Sequence, residues 1–340
     1  MGRNISVLGA GSMGTAVSVL LAGNGHSIKL WTPFREEADM INSMREQKEK
    51  LPGIKVPESV YCTADLDEAL QFSDINILVI PSQVIRENIR LIASSAKKPK
   101  LICCFSKGLE KDSGLRMSEV IGEELPDAVV VAMSGPCHAE ELSQGIPTAY
   151  VAASESRQAA ELIQDIFISK RFRVYTNPDI IGTELGGAIK NVIALCAGIS
   201  DGLGYGDNTK AALMTRGIAE ISRLGCAMGA KRQTFMGLAG IGDLIVTCTS
   251  VHSRNRRAGI LIGQGKTVDQ ALDEVKMVVE GYYTTEPVYR LSKKLGIVMP
   301  ITSEAYAILY EGKDPASAVT ALMSRDRTFE PEAEDIEDIW

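Results

Sequence analysis

Two kinds of hydrophobic periodicity divide this chain. In the first half the apolar residues come in short β-type runs, at 4–8, 27–30, 60–62, 75–80, 101–105, 129–132, 149–152 and 172–175, and stretches of helical periodicity separate most of the early ones. Strand-length runs alternating with helices predict an α/β domain built on a parallel, doubly wound sheet of Rossmann type, covered on both faces. After Asn177-Pro178-Asp179 the alternation stops, and from Gly182 onward the chain reads as helices joined by short glycine-rich turns. The pattern predicts an α/β domain over residues 1–181, an all-α domain over 182–328 and a solvated acidic tail over 329–340.

The most strongly patterned stretch is 183–200, TELGGAIKNVIALCAGIS. Leu185, Ala188, Ile189, Val192, Ile193, Leu195, Cys196 and Ile199 put apolar groups on every side of a 3.6-residue turn, so this helix is expected to be buried. Inside it stand three strongly polar side chains, Glu184, Lys190 and Asn191, which are costly to bury unless paired or used. They are either the working groups of a site or part of a structural ion pair in a core helix. Gly186 and Gly187 each cost roughly 1 kcal/mol relative to Ala in a helix and point to a close approach to this backbone.

The first run leads directly into GAGSMG and then into helical TAVSVLLAGNG, a strand, a glycine turn and a helix. Gly9 suits the tight turn, Gly11 leaves the backbone open to a pyrophosphate, and Gly14 permits close helix–strand packing. The N–H groups of Ser12 and Met13 open the helix toward the phosphates. A dinucleotide is the expected ligand. The second run ends in Trp31-Thr32-Pro33-Phe34-Arg35, without the acidic residue that usually holds the ribose hydroxyls of NAD. Nothing there repels a 2′-phosphate. Arg35 either neutralises one, which favours NADPH over NADH, or is a solvated residue at a helix start.

Ligands of doubly wound sheets lie beyond the carboxyl ends of the strands, and 81–83, 106–108 and 134–139 fall there. Lys107, between Ser106 and Gly108, is placed to reach a substrate oxygen or phosphate. Cys137 beside His138 does not read as a nucleophilic pair, since adjacent side chains point apart and nothing completes a triad. In the second half Gly237, Gly240 and Gly242 form a loop delivering Asp243, and Ser253 reads as the N-cap of a helix beginning Arg254-Asn255-Arg256-Arg257. Three arginines in a first turn oppose the helix dipole by a few tenths of a kcal/mol each. An anion on the N–H groups reverses that sign, so Ser253, Arg254 and Asn255 read as a phosphate clamp, the alternative being arginines paired with surface carboxylates. Residues 278–281 read as the end of a strand-like or loop run that can close over a cofactor.

Composition narrows the partners. A chain of 340 residues, 45% hydrophobic and 23% charged, suits two soluble domains. Net charge −7, with one short basic cluster at 254–257, excludes a nucleic-acid partner. No apolar run approaches the roughly 18 residues of a membrane span and no leader is apparent, so a cytoplasmic location is expected. The seven cysteines are odd in number, sit mostly in apolar segments and show no CxxC spacing, which predicts reduced core residues without a disulfide or metal site.

With GAGSMG, SKGLE, SGPCHAEEL, ELGGAIKNVIALCAGISDGLGYGDNTKAALMTRG, GLAGIGDL and SRNRR in this order, the chain resembles the bacterial-type NAD(P)H-dependent glycerol-3-phosphate dehydrogenases over most of its length. The resemblance implies a Rossmann domain followed by an all-helical domain, often as a homodimer. It implies reversible hydride transfer between NAD(P)H and dihydroxyacetone phosphate, giving sn-glycerol 3-phosphate for glycerophospholipid synthesis. Carried over by motif, Lys190 is the catalytic acid/base and Lys107 contacts substrate and cofactor. Gly135, Cys137, Asp243, Ser253, Arg254 and Asn255 line the substrate site, while Ser12, Met13, Ala139, Arg254, Val278 and Glu280 touch the cofactor. Two positions depart from the family: Cys137 stands where Ser or Thr is usual, and Pro33 where a basic residue is frequent. The chemistry agrees, because hydride addition to a ketone leaves alkoxide character on its oxygen, which needs a proton donor. Lys190, desolvated and near the Lys107 charge, is expected to titrate low, with Asp243 orienting it. Two competing readings are a dehydrogenase of unphosphorylated hydroxy acids, which leaves SRNRR without a purpose, and a nucleotide sensor, which has no need of a buried lysine.

Overall fold

The structure is a computed structural model that describes residues 2–327 and 330. The acidic stretch 329–340 thus lies, Glu330 apart, outside the described residues. Ten strands are present among them: β1 (Asn4–Leu8), β2 (Ser27–Trp31), β3 (Glu46–Gln47), β4 (Leu51–Lys55), β5 (Val60–Thr63), β6 (Ile75–Leu78), β7 (Leu101–Cys104), β8 (Val129–Ser134), β9 (Thr148–Ala153) and β10 (Phe172–Asn177). Eight of them form one sheet in the order β10-β9-β8-β7-β6-β1-β2-β5. The central strands are apolar almost throughout because helices cover both faces. Val7 of β1 pairs with Leu30 of β2 on one side and Ile77 of β6 on the other, both in parallel register. Strand order reverses at this point, so the crevice beyond β1 and β6 is where a doubly wound sheet binds its ligand.

Two features differ from the expected sheet. First, β8 and β9 pair antiparallel, with Met133 opposite Ala152, so β9 and β10 run against the other six strands. The helix between β8 and β9, Ala139–Ser143, has five residues and rises only about 7.5 Å. That falls short of the roughly 20 Å return that a six-residue strand demands of a parallel crossover. Second, β3 and β4 form a separate antiparallel hairpin. Pro52 and Gly53 inside β4 hide it from propensity. Gln47 Nε2 donates to the Ala10 carbonyl at 2.9 Å, and the Ser12 hydroxyl donates to the Lys50 carbonyl at 2.5 Å, which fastens the hairpin to the glycine turn.

From Ile180 onward the described chain is helical, organised around Ile180–Gly202, called here the central helix. Asp179 caps it, its carboxylate accepting the Gly182 N–H at 2.9 Å. The helix continues through Gly202, and residues 203–206 separate it from the next helix, Asp207–Ala227. Contrary to the expectation from apolar runs, the central helix is long and apolar enough by composition to cross a membrane, with mean hydropathy 1.4, yet 83% of that window is buried inside the protein. It is the core helix of the second half. Glycines bring the Arg254–Gly263 helix into backbone contact with it. A Cβ on Gly198 would lie 2.1 Å from the Arg256 carbonyl oxygen, and one on Gly259 2.1 Å from that of Leu195. Gly186 is likewise approached by protein, a Cβ there meeting the Ala239 carbonyl oxygen at 2.5 Å.

Candidate active site

The buried polar groups of the central helix separate into two kinds. The Glu184 carboxylate accepts from Arg116 Nη1 at 2.5 Å and from the Ser118 N–H and hydroxyl at 2.7 and 2.6 Å. This ion pair ties the central helix to the α/β half and is structural. Lys190 faces a different set. Its Nζ donates to Asp243 Oδ1 at 2.5 Å and to Thr247 Oγ1 at 2.6 Å. Lys107, just beyond the end of β7, donates to the other carboxylate oxygen, Asp243 Oδ2, at 2.6 Å and to the Gly135 carbonyl at 2.8 Å. A π-helical turn, Leu238–Gly242, presents Asp243 at the start of the Asp243–Thr249 helix, where a simple glycine loop was expected. Such turns are frequent at functional sites.

Two ammonium groups therefore share one carboxylate that is 0% exposed. Burial works against the Asp243 charge, but Lys107 and Lys190 outweigh it and hold the carboxyl below its usual range. Burial lowers Lys190 to about 8, with Asp243 opposing and the Lys107 charge adding to the fall. At Lys107 the same burial is overcome by Asp243 and by Tyr150, whose ring centroid lies 5.1 Å from Nζ, and its pKa is raised. The cluster carries one net positive charge, and Lys190 is the member that gives up its proton near neutral pH.

A chain of amides joins this centre to the Arg254–Gly263 helix. Asn191 Nδ2 donates to the Lys107 carbonyl at 3.3 Å, Asn255 Nδ2 donates to Asn191 Oδ1 at 2.9 Å, and the Gly281 N–H donates to Asn255 Oδ1 at 2.8 Å. Both ends of the Asn255 side chain are thus engaged within the protein. Ser253 is the N-cap, its hydroxyl accepting the Arg256 N–H at 3.3 Å. Arg256 pairs with Asp201 at 2.7 Å, the alternative that the sequence left open, whereas exposed Arg254 has no ion pair among the described residues. Desolvation by the surrounding protein pulls its pKa down, and the charges of Glu280 and Glu140 oppose that fall.

Glu280 begins the Glu280–Leu295 helix, where a strand-like or loop end was expected. The β-branched pair Val278-Val279 and the internal Pro287 mask the helical pattern. Its carboxylate accepts the Ser82 N–H at 3.0 Å and hydroxyl at 2.5 Å, latching this helix to the short helical turn Ser82–Val84 that follows β6, and burial pushes its pKa up. Val278 stands half-buried two residues before it.

The glycine turn has the shape a pyrophosphate requires. Gly9 has φ +121°, and a Cβ there would lie 2.3 Å from the Val79 carbonyl oxygen, while one on Gly14 would lie 1.8 Å from that of Gly9. A Cβ on Gly11 would meet nothing within 4 Å, so this glycine faces open space. Ser12 and Met13 start the following helix half-buried, and Ala139 lies in the α/β core at the start of its short helix. Arg35 is 84% exposed, 3.8 Å from Asp39. A carboxylate missed in the sequence lies two residues on: Glu37 accepts from the Thr32 hydroxyl at 2.5 Å, from Gln47 Nε2 at 2.7 Å and from Lys50. Two of these three partners, Gln47 and Lys50, come from the hairpin, which the sequence did not reveal. Cys137 is half-buried; burial pushes its thiol up to about 12 against the pull of Lys107, which keeps it protonated and non-nucleophilic.

Residues 4–160 match the family described as NAD-dependent glycerol-3-phosphate dehydrogenase N-terminus, and residues 179–320 match its C-terminus. A glycerol-3-phosphate dehydrogenase (NAD(P)+) of Agathobacter rectalis is 50% identical over 326 residues, covering 96% of this chain and 97% of that one. One from Clostridium perfringens is 51% identical over 326 residues, with 96% and 98% covered. The crystal structure of glycerol-3-phosphate dehydrogenase from Coxiella burnetii superimposes with a TM-score of 0.91 at 38% identity, over 95% of this chain and 99% of that one. With both halves matched in order around this lysine–aspartate centre, the chain belongs to the NAD(P)-dependent glycerol-3-phosphate dehydrogenase family.

Proposed function

We propose that Lys190 is the general acid/base of the family reaction, the reversible reduction of dihydroxyacetone phosphate to sn-glycerol 3-phosphate, and that Lys107, Asp243 and the start of the Arg254–Gly263 helix complete its machinery. The observation that carries this reading is the Lys190–Asp243–Lys107 cluster around a fully buried carboxylate, with Lys190 lowered to about 8. An acid/base is most effective when its pKa lies near the working pH. In reduction, Lys190 gives its proton to the carbonyl oxygen as negative charge develops there, and in oxidation neutral Lys190 takes it back from the hydroxyl. Lys107 stays charged in both directions, and its fixed ammonium stabilises the developing alkoxide. Asp243 holds both lysines in place.

NAD(P)H, when bound, supplies the hydride to the ketone carbon. Gly9, Gly11 and Gly14, with the N–H groups of Ser12 and Met13, would hold its pyrophosphate, and Val278, Glu280 and Ala139 border its site. The substrate phosphate is assigned to the N–H groups of Arg254 and Asn255 together with the Arg254 guanidinium. Binding energy from this remote group positions the carbonyl for reaction. Gly135 contributes by holding Lys107, and Cys137 offers a weaker donor than the family's usual hydroxyl. Arg35, exposed beyond β2, supports NADPH over NADH. The working form is taken to be a cytoplasmic homodimer whose product feeds glycerophospholipid synthesis.

Coenzyme oxidation, followed by absorbance with dihydroxyacetone phosphate and with dihydroxyacetone, tests the reading. Turnover is expected only with the phosphorylated ketone, and faster with NADPH. Equal kcat/KM for the two ketones would remove the phosphate clamp, and no oxidation by the folded protein would remove the reaction itself.

A further inference from the structure

Outside the reaction centre, a cavity of about 510 Å³ opens on the helical half. Its floor is apolar, with Leu213, Ile301 and Ile308, and its charged lining is three arginines, Arg216, Arg223 and Arg325, against two glutamates that are already engaged, Glu220 by the Ile301 and Thr302 N–H groups and Glu304 by Lys313. None of these side chains has a place in the proposed chemistry. An apolar recess of this size within a polar rim marks a surface built to receive something.

We propose that this groove is the docking site of the chain's own C-terminal stretch, residues 331–340. The Glu330 carbonyl oxygen accepts from Arg216 Nη1 at 3.1 Å, which puts the residue just before this stretch at the groove's rim. Ten residues reach at most about 33–36 Å, enough to cover it. Their sequence, PEAEDIEDIW, matches it in kind. Glu332, Glu334, Asp335, Glu337 and Asp338 complement the arginine rim, and Ile336, Ile339 and Trp340 suit the apolar floor. Most of the chain's surplus negative charge is collected here, since these five carboxylates face a net charge of −7 for the whole sequence. Ile199 of the central helix also lines the groove, so docking braces the C-terminal end of the helix that carries Lys190.

Trp340 supplies the readout, because the sequence holds two tryptophans and the other is Trp31. In the full-length Trp31→Phe chain, Trp340 should emit at shorter wavelength and be quenched by acrylamide several-fold less than in a synthetic peptide of residues 331–340. Leu213→Asp or Arg216→Glu in that background should return emission and quenching to those of the peptide, with the circular dichroism unchanged. A chain ending at Arg327 should bind the fluorescein-labelled peptide at least about ten-fold tighter than the full-length chain does, and added salt should weaken that binding. Peptide-like emission and quenching of Trp340 in the full-length chain would overturn the proposal. So would equal peptide binding by the long and short chains, or a groove substitution that dissociates a dimer while Trp340 stays unchanged, which would give the groove to a second copy. Should the short chain fail to fold, the Trp340 signal of the full-length chain decides alone.

Discussion

Replacing Asp243 by Asn removes the carboxylate between Lys107 and Lys190 with little change of volume. Two contacts, at 2.6 and 2.5 Å, cease to be ion pairs at a residue that is 0% exposed. Removing one partner of a buried pair costs about 3–5 kcal/mol, because the surviving charge is stranded. Two charges are stranded here, so a loss at the upper end of that range is expected near pH 6. The lost helix-dipole contribution of Asp243, about 0.3–1 kcal/mol, is minor beside it. The folded variant escapes by releasing protons: with nothing opposing burial, both lysines titrate lower than in the unmodified chain, Lys190 below its present value of about 8. The unfolded chain keeps both protons up to the ordinary lysine range. Between the two limits the unfolded state binds more protons, so the variant's stability rises with pH by about 1.4 kcal/mol per pH unit for each lysine held neutral. The unmodified chain gains that slope from Lys190 only above about 8. The deficit is therefore largest near pH 6 and narrows toward pH 8. Urea unfolding followed by circular dichroism across this range measures it. A deficit under about 1 kcal/mol at neutral pH, or one that does not narrow as pH rises, would refute this electrostatic account of the site.

Three further outcomes are expected. In the reduction direction kcat should fall as pH rises through about 8, and in the oxidation direction it should fall as pH drops through the same value, because Lys190 must start protonated in one and neutral in the other; limbs of the same sense in both directions would contradict the role. Arg254→Ala should raise the KM for dihydroxyacetone phosphate by roughly 30-fold, about 2 kcal/mol of charge-assisted binding, with a smaller change in kcat; an unaltered KM would place the phosphate elsewhere. Glu184→Ala takes from Arg116, which is 8% exposed, its buried carboxylate partner and leaves Glu119 at 2.9 Å, so it should cost about 2 kcal/mol in urea unfolding with kcat nearly intact; a large loss of kcat at unchanged stability would return Glu184 to the chemistry.

Local signals in the sequence carried far where the function of a residue depends on its neighbours along the chain. The glycine turn is legible because Gly9, Gly11 and Gly14 act through a strand and helix that directly flank them. The Ser253 cap and the burial of the central helix follow from spacing alone. Partnerships across long separations were not legible. Glu184 looked as functional as Lys190 until Arg116, 68 positions away, closed on it. Likewise, Arg256 looked equivalent to Arg254 until Asp201 paired with one and not the other. The β3–β4 hairpin escaped because Pro52 and Gly53 contradict strand propensity, and the role of Glu37 escaped with it. The reversal at β9 escaped because strand direction depends on the connecting segment and leaves no trace in the strand's own apolar pattern.

Lys190→Ala tests the central claim most directly. Single-turnover coenzyme oxidation with saturating dihydroxyacetone phosphate should slow by about 10²–10⁴-fold, while NADPH affinity, measured by its fluorescence on binding, stays within about two-fold because Lys190 lies outside the glycine turn. A variant that retains the rate of the unmodified chain, or loses the rate together with its affinity for NADPH, would contradict the assignment of Lys190 as the acid/base.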